Sequence, residues 1–269
     1  MQDWQSDYVD TNGVKLHFWR TGGAKPPLVL SHGITDNGLC WTRAALVLQP
    51  DYDIIMVDAR GHGLSDAPDS GYSDSDHAAD LAGLIAALEL GCPALMGHSM
   101  GASTVAATAA QYSDLVSCAI LEDPPWRARP PSPADISRGD DMRKNMFAQK
   151  SMTSQELRDW CLEKRPAWDT VELDAWVAAK QQFSLHVAEY LGRPRNWKNT
   201  VDGVRCPALL VSGDTSAGAI VDQKTSREAC SRNSLFEAVT IVGAGHNIRR
   251  ERFEQYMKAV KEFLDRHKT

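Results

Sequence analysis

The sequence predicts an α/β fold in which a mostly parallel, eight-stranded sheet is flanked by helices and interrupted by an inserted helical cap. Three observations predict it. Short apolar segments alternate with helical patterns over most of the 269 residues, as in parallel sheets with crossover helices. Gly97–Gly101 is a G-x-S-x-G run between an apolar strand and a run of small residues. The alternation lapses between residues 124 and 202.

The amino-acid composition of the chain excludes some classes of binding partner. Hydrophobic residues make up 43% of the chain, enough for the core of one large domain, and the net charge is −6. No cluster of Lys and Arg alternates with aromatics, so we expect neither nucleic acid nor membrane lipid as a partner. Met1–Gln5 has no basic start and no apolar segment follows it. We therefore expect a soluble cytoplasmic protein; nothing in the sequence indicates an oligomeric state.

The cysteines indicate neither a metal site nor disulfides. They are scattered without C-x-x-C spacing, mostly among apolar residues, which predicts reduced core thiols. The six are Cys40, Cys92, Cys118, Cys161, Cys206 and Cys230. Neither a Cys/His cluster with zinc spacing nor an acidic ladder for calcium is present, so we predict no metal and no cofactor.

The first strands precede a candidate binding loop. Residues 8–11 and 14–19 flank an Asn12-Gly13 turn and predict an antiparallel hairpin. Residues 28–31 predict a buried strand that ends at His32-Gly33-Ile34-Thr35. A loop at the carboxyl end of such a strand can direct backbone N–H groups at a reacting oxygen. A plain strand-to-helix turn is the alternative.

The next segments predict a helix over 39–48, a strand over 53–58 and a crossover helix over 75–90. The glycine-rich stretch 59–66 lacks the G-x-G-x-x-G spacing of a phosphate-binding turn. We interpret it, including His62, as structural.

Ser99 is the predicted nucleophile. Residues 93–96 predict a buried strand and residues 102–110 a closely packed helix. A serine in the sharp turn between them projects its hydroxyl above the sheet, and Gly97 and Gly101 leave room for the backbone.

The predicted strand 116–122 delivers Asp123 at its carboxyl end, and two prolines then end the strand. We predict a core formed by residues 1–123 and 203–269 and a cap formed by residues 124–202, with helices over 154–164, 170–182 and 185–191. Five of the eight tryptophans lie in the cap: Trp126, Trp160, Trp168, Trp176 and Trp197.

The cap tryptophans suggest an apolar, aromatic-lined pocket. Trp126 and Trp176 are the candidate substrate-binding residues. Since tryptophans at helical spacing commonly hold helices together, core packing is the alternative for each of them.

After the cap, strands are predicted over 206–212 and 238–242, with helices over 222–230 and 250–266. His246 follows the last strand in Gly243-Ala244-Gly245-His246. In a parallel sheet, loops after the carboxyl ends of strands lie at one edge, so His246 is the candidate general base for Ser99.

Together, the strand order, the serine turn, the inserted cap and the late G-x-G-H histidine resemble the α/β-hydrolase fold family over essentially the whole chain. The resemblance implies that Ser99 is the nucleophile and His246 its base. It also implies an oxyanion hole formed by the backbone N–H groups of Ile34 and Met100. Residues 60–65 match the family's R-G-x-G-x-S loop, which is structural there.

The acid of the triad departs from the family's commonest pattern. The usual position, three residues beyond Gly213, holds Ser216. Asp214 and Asp222 lie nearby, but Asp123 ends the strand after the nucleophile helix, where some dehalogenases and zearalenone-type lactonases of this fold carry their acid. We predict Asp123 as the acid. The alternative is a solvated carboxylate at the end of the strand.

A serine nucleophile excludes the dehalogenases and epoxide hydrolases of this fold, which use a carboxylate. The cap and the acid position resemble lactonases and esterases that open bulky apolar esters, such as zearalenone-type or macrolide lactones. The expected activity is hydrolysis of a carboxylic ester or lactone through an acyl-enzyme. A carbon–carbon bond hydrolase of ring-cleavage diketones and a hydrolase-fold ligand receptor are the alternatives.

Overall fold

The computed structural model describes residues 3–128, 133–191 and 195–267. Its eight strands form one sheet in the order β1-β2-β4-β3-β5-β6-β7-β8. The β1–β2 and β2–β4 pairs are antiparallel and the other five pairs are parallel. The strands are β1 (Gln5–Thr11), β2 (Val14–Arg20), β3 (Pro27–Ser31), β4 (Asp53–Val57), β5 (Ala94–His98), β6 (Cys118–Glu122), β7 (Ala208–Ser212) and β8 (Phe236–Thr240). The predicted eight-stranded, mostly parallel sheet is confirmed.

The hairpin at the edge of the sheet follows from its turn residues. Asn12 and Gly13 have φ values of 48° and 74°, and Thr11 pairs directly with Val14. A two-residue turn with two positive φ angles matches the twist of antiparallel strands, and Asn-Gly adopts it readily.

Helices cover both faces of the sheet and fill the segment between β6 and β7. They are α1 (Thr42–Leu48), α2 (Asp74–Ala87), α3 (Met100–Gln111), α4 (Pro133–Lys150), α5 (Ser154–Lys164), α6 (Leu173–Gln182), α7 (Trp197–Gly203), α8 (Gln223–Arg232), α9 (Ile248–Glu251) and α10 (Phe253–Arg266). Short 3-10 turns precede α1 and α6, and residues 185–190 form a 3-10 helix in place of the predicted α-helix. In the described ranges, no helix has the length and apolarity needed to cross a membrane.

Strand alternation divides the core between the two faces. Val29, Leu95 and Leu121 pack in one cluster with residues of α2 and α3. Their strand neighbours Leu30, Met96 and Ile120 pack in another with residues of α1 and α10. Because successive side chains of a strand point to opposite faces, continuous apolar strands bury both sides of a parallel sheet.

The segment between β6 and β7 contains α4, α5, α6 and α7. Residues of α4, α5 and α6 pack in two further apolar clusters. Trp197 and Val201 of α7 instead pack in the cluster that contains Val29, Leu95 and Leu121 of the sheet. The predicted cap boundary at residue 202 therefore falls inside a helix that packs on the sheet. A boundary before α7 agrees better with this packing, and the division into core and cap remains a proposal.

Candidate active site

Ser99 occupies a strained turn between β5 and α3. Its φ of 53° is unusual for a residue that carries a side chain. A Cβ at Gly97 would lie 2.2 Å from the carbonyl oxygen of Gly101, and one at Gly101 would lie 2.1 Å from that of Ser31. Both positions of the motif therefore require glycine, and the tight packing holds the serine in place.

The carboxyl ends of β5, β6 and β8 bring Ser99, Asp123 and His246 together. His246 Nε2 lies 3.0 Å from Ser99 Oγ, and His246 Nδ1 lies 2.6 Å from Asp123 Oδ2. An ionised carboxylate only accepts hydrogen bonds, so Nδ1–H donates to Asp123 and leaves Nε2 to accept from the serine hydroxyl. His98 Nε2–H donates to the His246 carbonyl at 3.0 Å and supports the loop.

Asp123 is fully buried and held from two sides. The residue has a φ of 43°, so the chain turns as it leaves β6. Its carboxylate accepts the N–H of Val221 at 2.9 Å and that of Ile220 at 2.9 and 3.1 Å. These bonds satisfy a buried charge and fix the oxygen that faces His246.

The other two candidate acids bind backbone groups elsewhere. Asp214 accepts a hydrogen bond from the N–H of Gly243. Asp222 caps α8 through the N–H and hydroxyl of Thr225, both at 2.7 Å. Ser216, at the family's usual acid position, lies in a 3-10 turn. Of the four positions, the structure places the side chain of Asp123 on His246.

The loop after β3 lies against the nucleophile. A Cβ at Gly33 would lie 2.6 Å from His98 Nδ1 and 3.5 Å from Ser99 Cβ. Ile34 and Met100 are both buried and belong to one apolar cluster. The two residues predicted to supply oxyanion donors thus belong to the same apolar cluster, one following Gly33 and the other following Ser99.

The side chains of two buried histidines form hydrogen bonds with the backbone of this loop. His32 Nδ1–H donates to the Gly33 carbonyl at 2.8 Å, and its Nε2 accepts the N–H of Ala59 at 3.0 Å. His62 Nε2 accepts the N–H of Thr35 at 3.4 Å. Burial lowers the pKa of His32, and it lowers the pKa of His62 further. Both rings are therefore neutral at pH 7, and His62 has the structural role predicted for it.

A buried charged cluster joins the loop to the cap and to the segment after His246. We define it as Asp36, Glu122, Glu172, Lys180, Arg249 and Arg250. Asp36 lies 3.1 Å from Arg250 and 3.4 Å from Lys180. Burial by itself would raise the pKa of Asp36, but Arg250, Lys180 and Arg249 outweigh it and hold that pKa well below its usual range. Sequence analysis missed this cluster.

Glu122, the residue before Asp123, binds the serine turn and the segment that follows His246. Its carbonyl accepts the N–H of Ser99 at 2.9 Å. Its carboxylate accepts the N–H of Arg249 at 2.9 Å and a guanidinium N–H at 3.2 Å. The strand that delivers Asp123 thereby also fixes the serine turn and the segment that follows His246.

Trp126 and Trp176, the predicted substrate-binding residues, are almost fully buried in aromatic clusters. Trp126 stacks on Trp197 with a centroid separation of 5.6 Å, within the core cluster of the sheet. Trp176 stacks on Trp160 at 5.8 Å, within a cluster of cap residues. The cluster that contains Ile34 and Met100 includes neither of them. Their placement agrees with the alternative of core packing.

Other residues between β6 and β7 supply the apolar surroundings of Ile34 and Met100. Its buried members from this segment are Met146 of α4 and three residues after α6: Phe183, Val187 and Tyr190. The last three have an apolar spacing of four and three residues, but a local spacing does not indicate that they pack with Ile34 and Met100.

Comparison with known proteins places the whole chain among hydrolases. Residues 26–249 match the family model described as the alpha/beta hydrolase fold. The 2-(acetamidomethylene)succinate hydrolase of Mesorhizobium japonicum is 29% identical over 266 residues, 96% of this chain and 94% of that protein. The N-formylmaleamate deformylase of Pseudomonas putida is 29% identical over 269 residues, 96% and 95% of the two chains.

Solved structures share the fold over nearly the same length. The crystal structure of E-2-(acetamidomethylene)succinate hydrolase matches with a TM-score of 0.82 and 25% identity, covering 97% of this chain and 99% of that one. A thermophilic esterase from Thermogutta terrifontis matches with a TM-score of 0.76 and 24% identity, covering 98% and 100%. The latter likeness is one of fold.

Proposed function

Since this chain belongs to the α/β-hydrolase fold family, we propose that it is a serine hydrolase that cleaves a carboxylic ester or lactone through an acyl-enzyme on Ser99. One observation carries the proposal: a continuous hydrogen-bonded chain from the buried carboxylate of Asp123 through His246 to the Ser99 hydroxyl. A serine hydroxyl becomes an effective nucleophile only when a positioned base takes its proton.

The proposed reaction uses each group in turn. Ser99 Oγ attacks the carbonyl carbon as His246 Nε2 accepts the proton, and Asp123 stabilises the resulting imidazolium. The backbone N–H groups of Ile34 and Met100 bind the tetrahedral oxyanion. His246 then protonates the leaving alcohol, and the acyl-enzyme forms. A water molecule, deprotonated by His246, attacks the acyl carbon and releases the acid and Ser99.

The apolar cluster around Ile34 and Met100 supports a substrate with a bulky apolar part. Phe183, Val187 and Met146 pack in the same cluster as Ile34 and Met100, so the surroundings of the proposed oxyanion hole are apolar, and apolar surroundings favour such groups. Within this proposal, macrocyclic lactones belong to the substrate class because they combine a carboxylic ester bond with a large apolar ring.

The full-length relatives favour a second candidate function, hydrolysis of an acyl group on nitrogen. The names of both relatives describe acylated nitrogen derivatives of small diacids. The same three residues serve that reaction, with nitrogen in place of oxygen as the leaving atom. The two candidates differ in the polarity of the substrate, so a substrate panel separates them.

The test combines that panel with a nucleophile variant. We expect hydrolysis of p-nitrophenyl esters and macrocyclic lactones by the wild type, covalent labelling of Ser99 by a fluorophosphonate, and loss of nearly all turnover in a folded Ser99→Ala variant. Turnover confined to N-formyl diacid amides would establish the second candidate. Turnover confined to ring-cleavage diketones, labelling of another serine, or tight binding without turnover would each overturn the ester proposal.

A further inference from the structure

Helix α6 carries a lysine on its buried face. Leu173, Trp176 and Val177 are buried at helical spacing, and Lys180 continues the same stripe with only 4% of its surface exposed. Lysine is almost never fully buried without partners because removing an ammonium group from water is costly. Its partners therefore indicate why the residue is there.

Those partners lie on the loop beside the proposed oxyanion hole. Lys180 Nζ donates to the Thr35 carbonyl at 2.8 Å and to the Thr35 hydroxyl at 2.7 Å. It lies 3.4 Å from the carboxylate of Asp36 and 4.9 Å from the ring centre of Trp176. The ammonium group is thus satisfied mainly by the residue that follows Ile34.

Thr35 has a backbone conformation that needs such support. Its φ of 67° lies in the left-handed region, where a β-branched residue is a strained outlier. Its N–H is bound by His62 and its carbonyl and hydroxyl by Lys180. This conformation sets the path of the chain that carries the N–H of Ile34.

The end of α6 contacts the loop a second time. Gln182 Oε1 accepts a hydrogen bond from Asn37 Nδ2 at 3.0 Å. Two residues half a turn apart on one cap helix therefore bind both ends of the 35–37 segment. This helix is therefore attached to the loop by the buried Lys180 and by the exposed Gln182.

We propose that Lys180 is a positioning residue of the oxyanion hole: its ammonium group on the cap holds Thr35 in the left-handed conformation and so keeps the Ile34 N–H directed at the reacting oxygen. The inference rests on the proposed serine-hydrolase function. It makes the cap helix a working part of the catalytic centre, because the lysine acts on transition-state stabilisation without touching substrate.

The test compares Lys180→Met with Lys164→Met. Lys164 is an exposed lysine between the same two strands and forms an ion pair with its neighbour Glu163, so its substitution controls for the change itself. We expect Lys180→Met to lower kcat for p-nitrophenyl acetate by about 100-fold, within the range for loss of one oxyanion donor. KM should change by less than about three-fold, since ground-state contacts are kept.

A second readout isolates the oxyanion. A trifluoromethyl ketone forms a tetrahedral adduct with the serine, and the oxygen of this adduct occupies the oxyanion hole. Its Ki should therefore rise in Lys180→Met by the same factor by which kcat/KM falls. Rates are normalised to the concentration of fluorophosphonate-titrated sites. A purely structural lysine would lower the melting temperature and the fraction of active sites while leaving kcat per titrated site unchanged.

The outcomes are separable. Equal kcat and Ki in Lys180→Met and Lys164→Met would overturn the inference, whereas failure of the wild type to hydrolyse any acyl substrate would overturn the proposed function. If Lys180→Met does not fold, Thr35→Val removes only the hydroxyl acceptor. It should lower kcat by about ten-fold with KM preserved, and unchanged kcat in that variant would overturn the inference.

Discussion

Replacing Asp123 with asparagine tests the hydrogen-bonded chain most directly. Asparagine has nearly the same shape, but one of its two polar ends is an amide NH₂ that donates hydrogen bonds. In the wild type, Oδ1 accepts the N–H groups of Ile220 and Val221, and Oδ2 faces His246 Nδ1 at 2.6 Å. The question is which end of the new side chain faces the histidine.

The structure decides the orientation. With the amide oxygen at the Oδ1 position, both backbone bonds survive and the NH₂ faces His246. In the reverse orientation the amide oxygen still accepts the N–H of Ile220, which also lies 2.9 Å from Oδ2, and the buried N–H of Val221 is left unpaired at a cost of roughly 1–3 kcal/mol. The first orientation is therefore favoured by at least about 1 kcal/mol, or about five-fold. In it, His246 Nδ1 must accept a hydrogen bond, Nε2 carries the proton, and the ring cannot deprotonate Ser99.

The reverse orientation also lacks the carboxylate charge that stabilises the imidazolium, so we expect kcat to fall by about 10⁴-fold in total, equivalent to roughly 5 kcal/mol of transition-state stabilisation, with KM nearly unchanged. The assay is steady-state hydrolysis of p-nitrophenyl acetate by protein whose circular dichroism and melting temperature match the wild type. Asp222→Asn and Asp214→Asn are the matched controls and should keep most activity, since asparagine is an equally good helix cap. A folded Asp123→Asn variant within ten-fold of wild-type kcat would refute the reasoning.

Two further predictions concern the cap and pH. Trp126→Ala should reduce the free energy of unfolding by about 3–5 kcal/mol because it empties a core site, and it should change KM equally for short and long esters. Phe183→Ala should instead raise KM mainly for bulky esters. Denaturant titration and KM values for both esters check the two variants, and the reverse pattern would make Trp126 the substrate contact. Asp36→Asn should reduce the free energy of unfolding by about 3–5 kcal/mol at pH 7, because it leaves buried Lys180 without its carboxylate and Arg250 with Glu172 alone. The pKa of Asp36 is lowered in the folded state. The difference in free energy of unfolding between the wild type and Asp36→Asn should therefore be complete above about pH 4, the pKa in the unfolded state, and should shrink as pH falls further. Urea denaturation of both proteins at pH 7 and pH 3 measures this difference, and a difference that grows on acidification would contradict the assignment.

The position of the acid has a structural consequence for the proposed enzyme. Asp123 and Glu122 are adjacent, yet one binds His246 and the other binds Arg249 just beyond it. The end of β6 therefore holds the histidine segment at two points. A substitution at either carboxylate affects the orientation of the imidazole, but only Asp123 touches it.

Local patterns in the sequence determined the strands, the hairpin and the serine turn. The Asn12-Gly13 turn, the apolar strands and the strained position of Ser99 each depend on residues within a few positions of one another, so their conformations follow from sterics and periodicity. Helices α4 and α7 were not predicted from the sequence. Three prolines lie at residues 130–133, yet α4 begins at Pro133, where a proline is tolerated because the first helical N–H needs no partner.

The sequence by itself placed Ser99 and His246 at one edge of the sheet and predicted Asp123 as the acid, with Asp214 and Asp222 as nearby candidates. Tertiary structure selected the side chain that reaches the imidazole, because the choice depends on the turn at Asp123 and on N–H donors 97 and 98 residues away. Lys180 offered one overlooked signal, a lysine on an otherwise apolar helical stripe. Its partner Thr35 lies 145 residues earlier, and a contact over that distance is set by packing of the whole fold and not by local propensity.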